Sequence, residues 1–163
     1  MAKQSGSSGT PATVALTKAG IAFTTHSYEH DPSAASFGLE AANALGLAVE
    51  QVFKTLLADI DGKLVVGIVP VHRKLDLKAL AASVGRKRAS MADPAIAERS
   101  TGYVVGGISP IGQKRALKTV IDNSAETIET VYVSGGRRGF DLGLSPLDLQ
   151  SITRAMFAPI ARD

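Results

Sequence analysis

Short apolar runs punctuated by glycine and proline set out the elements of this chain. Thr10-Pro11 opens a helix, with Thr as cap and Pro in the first turn, and Gly20 stops it. Ala22–Tyr28 predicts a strand, and Ser36–Leu45 a helix ended by Gly46. The apolar stretches Val49–Ile60 and Lys63–Val69 flank Asp61-Gly62, a dipeptide suited to a type I′ turn, and form the clearest hairpin. Leu75–Val84 has the pattern of an amphipathic helix stopped by Gly85, and Asp93-Pro94 starts a short one running to Arg99. Leu117–Ile121, Val131–Val133 and Phe140–Leu144 are short strands, and Ser145-Pro146 caps a last helix reaching about Phe157.

Strands and helices do not alternate as βαβ repeats, which argues against a doubly wound sheet. The pattern predicts an α+β protein with a curled, barrel-like sheet, mixed but mostly antiparallel, with helices interspersed. At 163 residues the chain is expected to form one domain over 11–163, with residues 1–10 as a flexible polar leader. The absence of tryptophan and the 5% aromatic content leave Val, Ile, Leu and Ala to build the core. With no cysteine, disulfides, thiolate metal sites and a protein thiol nucleophile are excluded, and a cytoplasmic setting fits. Neither a membrane span nor a signal peptide is expected.

Net charge is only +3, but residues 73–138 hold 12 of the 18 Lys and Arg and 6 of the 15 Asp and Glu. That middle region therefore carries +6 against −3 elsewhere. Basic clusters at 73–74, 86–88 and 137–138 point to a face for a polyanion, against the alternative of an ordinary solvated surface. Two glycine-rich segments adjoin this charge: Val105-Gly106-Gly107-Ile108-Ser109-Pro110-Ile111-Gly112-Gln113-Lys114 and Ser134-Gly135-Gly136-Arg137-Arg138-Gly139. Each follows an apolar run, Tyr103-Val104-Val105 or Val131-Tyr132-Val133, and is expected where a strand ends. Paired glycines expose backbone amides that can donate to a carbonyl oxygen, carboxylate or phosphate, although such turns also serve simple hairpins. Neither segment is a P-loop or a dinucleotide fingerprint.

Phe53-Lys54-Thr55-Leu56 sets one lysine in an apolar strand, where it either faces solvent or must pair or lose its charge. His26 and His30 lack the companions of a zinc site, and His72 lies just past a strand end. No GxSxG elbow and no Ser-His-Asp set can be assembled. The residues thus offer backbone donors, one lysine and basic flanks, without an evident nucleophile or base.

Tyr28-Glu29-His30-Asp31, Val52-Phe53-Lys54-Thr55-Leu56, Leu75-Asp76-Leu77-Lys78-Ala79-Leu80, Gly106 to Gln113 and Ser134 to Leu142 occur in the order seen in the YbaK/EbsC family. From about residue 11 to 160 the chain resembles the free-standing Cys-tRNA(Pro) deacylase branch of the prolyl-tRNA editing domains. The resemblance implies a compact mixed sheet wrapped by helices, and a hydrolase that removes cysteine mischarged onto tRNA(Pro) without metal or cofactor. It implies that Lys54 contacts the acceptor end of the tRNA and that Tyr28, Thr55, Gly106, Ser134 and Asp141 line the same pocket. It also implies that the substrate's own thiol attacks the ester carbonyl, so that orientation and oxyanion stabilisation are what the protein must supply. Gly107, Ser109 and Gly135 are expected to complete the site from the glycine segments, and Arg86, Lys87, Arg88, Lys114, Arg137 and Arg138 to hold tRNA phosphates. Ser134-Gly135-Gly136 stands where the alanine-specific branch carries a histidine, which disfavours alanine specificity. Prolyl-tRNA synthetase is a candidate partner, and a monomer or weak homo-oligomer is expected. Two alternatives remain: a non-catalytic nucleic-acid-binding module and a small amino-acid or carboxylate binder.

Overall fold

The computed structural model describes residues 9–163, so nearly all of the expected leader lies outside the described residues. Helix α1 (Pro11–Ala19) begins at a reciprocal cap. The Thr10 hydroxyl accepts from the Thr13 N–H at 3.2 Å, and the Thr13 hydroxyl accepts from the Thr10 N–H at 2.9 Å. Strand β1 (Thr24–Ser27) and helix α2 (Phe37–Leu45) follow, with α2 capped by Ser36 and closed by Gly46.

The predicted hairpin is the centre of the molecule. Strands β2 (Phe53–Ile60) and β3 (Lys63–Pro70) pair antiparallel from Phe53↔Pro70 to Ile60↔Lys63. Asp61 and Gly62 take φ of 53° and 83°, the two positive values that a type I′ turn requires, and the Asp59 carboxylate accepts from the Gly62 N–H. Then come β4 (Lys74–Leu75), α3 (Leu77–Ser83), β5 (Ser90–Met91), α4 (Pro94–Thr101) and β6 (Lys118–Asp122). The chain ends with β7 (Val131–Arg137), β8 (Phe140–Leu144), α5 (Pro146–Thr153), β9 (Met156–Ala158) and β10 (Ala161–Arg162).

The main sheet has the order β5-β2-β3-β6-β9, antiparallel on the β5 side and parallel from β3 to β6 to β9. A second, antiparallel sheet runs β1-β8-β7, and β10 and β4 form a short ribbon. A lone bridge between Val52 and Tyr132 links the two larger sheets just before β2 begins. This is the α+β, mixed and mostly antiparallel arrangement expected, curled rather than closed. Both faces of the hairpin are covered. Phe53, Leu57, Val66 and Ile68 pack with α1, α4, α5, β7 and β8, while Ala58, Ile60, Val65 and Val69 pack with α3 and Ile160. Burial on two sides explains why these strands read as continuous apolar runs. Among the described residues no helix is long and apolar enough to cross a membrane.

Several boundaries depart from the sequence reading. The strand expected from Val49 begins at Phe53, because Val49–Gln51 forms a 3-10 turn with the Val52 N–H donating to the Val49 carbonyl. The helix expected from Leu75 starts at Leu77, because the Asp76 carboxylate caps the Ala79 N–H at 2.9 Å and Leu75 is committed to pairing with Ala161. The last helix ends at Thr153, where Arg154 turns left-handed (φ 56°) and releases Met156–Ala158 to pair in parallel with β6. Tyr103-Val104-Val105 is no strand. It follows the end of α4 at Gly102, held by the Tyr103 hydroxyl donating to the Ile111 carbonyl and the Val105 N–H donating to Glu98. Gly135 and Gly136 lie inside β7 as a bulge, where the register jumps between Ser134 and Arg137, and the turn itself is Arg138-Gly139.

Asp122, 2% exposed, ties the C-terminal strands to this frame. One carboxylate oxygen accepts from the Ile160 and Ala161 N–H groups at 3.0 and 2.9 Å, and the other accepts from the Ser124 N–H and hydroxyl. Asp122→Ala strands these donors, so it should lower the unfolding free energy in urea by about 3 kcal/mol. A loss below about 0.5 kcal/mol, the scale of an ordinary surface substitution, would remove Asp122 from this role.

Candidate active site

A cavity of about 400 Å³ opens where the first turn of α2, the start of β2, the middle of β7 and β8 and the loop at 105–108 meet. Most of its wall is apolar, with Tyr28, Lys54, Thr55, Gly106, Ser134 and Asp141 converging on it. The sequence-predicted lysine therefore faces a cleft. Lys54 has no carboxylate partner among the described residues. Burial, followed by the nearby charge of Lys74, lowers its pKa. The next residue along, Thr55, holds a buried hydroxyl oxygen without any hydrogen-bond partner.

Asp141 sits in the middle of the smaller sheet, opposite Ser134 on β7 and His26 on β1. It is 6% exposed, and burial pushes its carboxyl up to about 7. Near neutral pH it is therefore divided between an acceptor and a protonated donor. Tyr28 is pushed up to about 12 by burial and by the charges of Asp141 and Glu40, so its phenol keeps its proton. The Ser134 hydroxyl accepts from the Gly136 N–H at 3.2 Å. No histidine lines the cavity. Instead the His26 ring is hydrogen-bonded to the Thr24 hydroxyl at 2.8 Å, and His30 pairs with Glu40 at 2.9 Å.

The glycine segments divide their tasks. Gly106 lines the cavity at φ 90°, and its N–H has no backbone partner among the described residues. The Gly107 N–H is already committed to the Val104 carbonyl at 2.9 Å, so it is not the second amide donor expected of it. A Cβ on Gly107 would sit 2.8 Å from the Arg137 and Arg138 backbone, so its bareness serves loop-to-strand approach. Ser109 is wholly buried outside the cavity, its hydroxyl accepting from the Ile111 N–H and its carbonyl from the Gln113 side chain. Gly135 is likewise outside, packed on the Phe140 ring, its carbonyl accepting from the Thr10 hydroxyl.

Of the basic residues expected to hold phosphate, Arg138 is tied to the rim of the cavity. Arg138 donates from Nε and Nη2 to the Val105 carbonyl at 2.9 and 2.6 Å, and its guanidinium lies over the Phe37 ring. It thereby clasps the 105 loop to α2. Arg137 lies over Phe140 at 4.3 Å. Arg86, Lys87, Arg88 and Lys114 are exposed and do not line the cavity, and Arg86 is 3.5 Å from Asp61. What the sequence reading missed is the first turn of α2. Phe37 and Gly38 line the cavity, and a Cβ at Gly38 would collide with Val71. The span Ser36–Leu45 located that helix, but its packing against the mouth of the site is a tertiary fact without a local signature.

A model of the aminoacyl-tRNA editing domain matches residues 31–152. A protein of Enterococcus faecalis that carries the name Cys-tRNA(Pro)/Cys-tRNA(Cys) deacylase EbsC is 37% identical over 121 residues, 73% of each chain. A multifunctional Ser/Thr-tRNA deacylase, ProXp-y, of Escherichia coli is 36% identical over 81 residues, 47% of this chain and 48% of that one. Among solved structures, one described as a trans-editing enzyme for prolyl tRNA synthetase superposes with a TM-score of 0.81 at 24% identity, over 99% of this chain and 100% of the other. That likeness concerns the fold.

Folding raises the Asp141 pKa from 3.8 to about 7, so the folded state keeps a proton over a range where the unfolded chain has released it. The resulting stability is fully present below about pH 4 and is lost as pH rises through 7. Asp141→Asn removes this titration. Its unfolding free energy should stay flatter than the parent's between those limits, the two curves diverging by up to about 4 kcal/mol. Parallel curves would show that the buried carboxyl is not held protonated.

Proposed function

The chain belongs to the aminoacyl-tRNA editing domain family, and we propose that it deacylates mischarged aminoacyl-tRNA, with Cys-tRNA(Pro) as its substrate. The observation that carries this reading is the makeup of the cavity. An unpaired cation, an unpartnered hydroxyl, a carboxyl near its midpoint and one open amide surround apolar walls, with no nucleophile–histidine pair among them. Such a site can hold and polarise an ester, while the attacking atom comes from the substrate. Its volume lies in the range of small-molecule sites, matching an amino acid and the edge of a terminal nucleoside.

In this mechanism the ammonium of Lys54 holds the phosphate or ribose of the acceptor end. The ester carbonyl then lies toward the Gly106 N–H, which donates to the oxygen as negative charge develops on it. The cysteine thiol gives up its proton and its sulfur bonds to the carbonyl carbon. The bond from that carbon to the ribose oxygen breaks, and the ribose hydroxyl leaves with a proton. Water then opens the strained cyclic thioester to free cysteine. Holding thiol and carbonyl together supplies much of the rate, since well-oriented intramolecular attack is worth on the order of 7–11 kcal/mol. Thr55 and the protonated Tyr28 are placed to donate to the substrate, and Asp141 to pass the proton from sulfur to oxygen. Arg138 holds the 105 loop in place, and the exposed Arg137 is free to meet a tRNA phosphate.

The test is a set of esters on one tRNA. Cysteinyl ester should be cleaved far faster than seryl ester, whose hydroxyl is the poorer nucleophile, and equal rates would overturn attack by the substrate thiol. Lys54→Ala should retain the parent melting temperature and lose about a hundredfold in kcat/KM, the scale of one removed electrostatic contact in a reaction site. Lys54→Arg should remain impaired, because a planar fork does not replace a compact ammonium. Near-full turnover of Lys54→Ala would return this lysine to the solvated face of a strand.

A further inference from the structure

A second concavity lies at the other end of the hairpin, around the Asp61-Gly62 turn. It is lined by Lys63 at the start of β3, Arg86 just after α3, Arg115 in the loop before β6, and Lys118 at the start of β6. All four side chains are exposed, and the sole carboxylate in the lining is Asp61, 3.5 Å from Arg86. Lys63, Arg115 and Lys118 have no acidic partner among the described residues. The cleft thus gathers four positive charges against one negative charge.

The scaffold that presents them is rigid. Lys118 pairs in register with Val65, two residues beyond Lys63, which puts both lysines on one face of the sheet. At a strand spacing of about 4.8 Å and a rise of about 3.3 Å per residue, their Cα atoms are about 8 Å apart. Arg115 is fixed by its own N–H, which donates to the Ser100 carbonyl at the end of α4, and Lys114 does the same to Thr101. Lys87, Arg88 and Lys114 extend the charge outward. The cleft is also set apart from the candidate active site. Lys54 pairs with Val69 at one end of β2, and Ile60, six residues on, pairs with Lys63 at the other. That separation is about 20 Å at the same rise.

We infer that this cleft binds the phosphodiester backbone of the tRNA arm, several nucleotides away from the ester held beside Lys54. About 20 Å along a stacked arm spans on the order of half a dozen nucleotides. A cluster of flexible lysines and arginines with no planar reading surface neutralises phosphate and is indifferent to base. It sets affinity and orientation, and the cavity sets which ester is cleaved. This inference rests on the tRNA reading above, and the experiment separates the two.

Lys63→Ala/Lys118→Ala and its charge-reversed form, Lys63→Glu/Lys118→Glu, are compared with the parent in two assays. The first is binding of uncharged tRNA across a salt series, which needs no catalysis. The second is steady-state cleavage of full-length Cys-tRNA(Pro) and of cysteinyl-adenosine, which lacks any arm. The alanine pair should lower the salt slope of binding by about 1.4–1.8 and raise KM for the full-length substrate on the order of tenfold, with more for the reversal. kcat on the full-length substrate and cleavage of cysteinyl-adenosine should not change. An unchanged slope and KM, or an equal loss on cysteinyl-adenosine, would overturn the cleft's role. Failure of the parent to cleave either ester would defeat the deacylase reading instead, and the salt series would still decide whether the cleft holds RNA phosphates.

Discussion

The structure depends on one constraint: the β2–β3 hairpin is buried on both faces, and a lysine stands at its edge without a counter-ion. Covering both faces forces the chain to bring α1, α4, α5 and the smaller sheet to one side and α3 to the other. The start of β2 is therefore enclosed by elements from distant parts of the chain: the first turn of α2, the β7–β8 pair, the 105 loop, and β5 with the start of α4. A charge placed there loses water and gains no carboxylate, which is why its pKa falls. In a purely structural role such a lysine would be a liability. Beside a phosphate or a polarised ester it becomes the group that the substrate completes.

The neighbours of Lys54 follow the same logic. A buried hydroxyl without a partner at Thr55 and a carboxyl raised to about 7 at Asp141 each cost the folded state free energy. These groups cluster around one cavity, while the other buried side-chain polar atoms among the described residues have partners, Asp122 four donors and Thr10 its reciprocal cap. Concentrating unsatisfied groups where a ligand binds lets binding recover what folding gave up. The glycines next to them make the enclosure possible. At Gly107 the backbone of the 105 loop comes so close to that of β7 that a methyl group would not fit.

The sequence made the hairpin legible down to its turn, because Asp61-Gly62 between two apolar runs has few other solutions. Helix caps at Thr10, Ser36, Asp93 and Ser145 were equally local and equally readable. Boundaries failed where a distant partner decided them. Met156–Ala158 leaves the helical pattern because β6 offers an open edge, and Leu75 leaves it because Ala161 pairs there. In the site, Lys54, Thr55, Asp141, Tyr28, Ser134 and Gly106 do converge, whereas Gly107, Ser109 and Gly135 serve packing and loop hydrogen bonds. A glycine pair in sequence does not say which amide is spent on its own loop. The basic middle region was visible as a total of charge. Its gathering into a cleft about 20 Å from Lys54 depends on strand register that no local pattern shows.

The central claim is that the protein supplies position and charge stabilisation while the substrate supplies the nucleophile. The dependence of the single-turnover rate on pH, followed in parallel for cysteinyl and seryl esters of the same tRNA, tests it most directly. The cysteinyl ester should show a limb rising toward the ionisation of a thiol, near pH 8.5 in simple peptides. The seryl ester should lack that limb. Two profiles of the same shape and height would contradict the account, because the attacking group would then belong to the protein or to water.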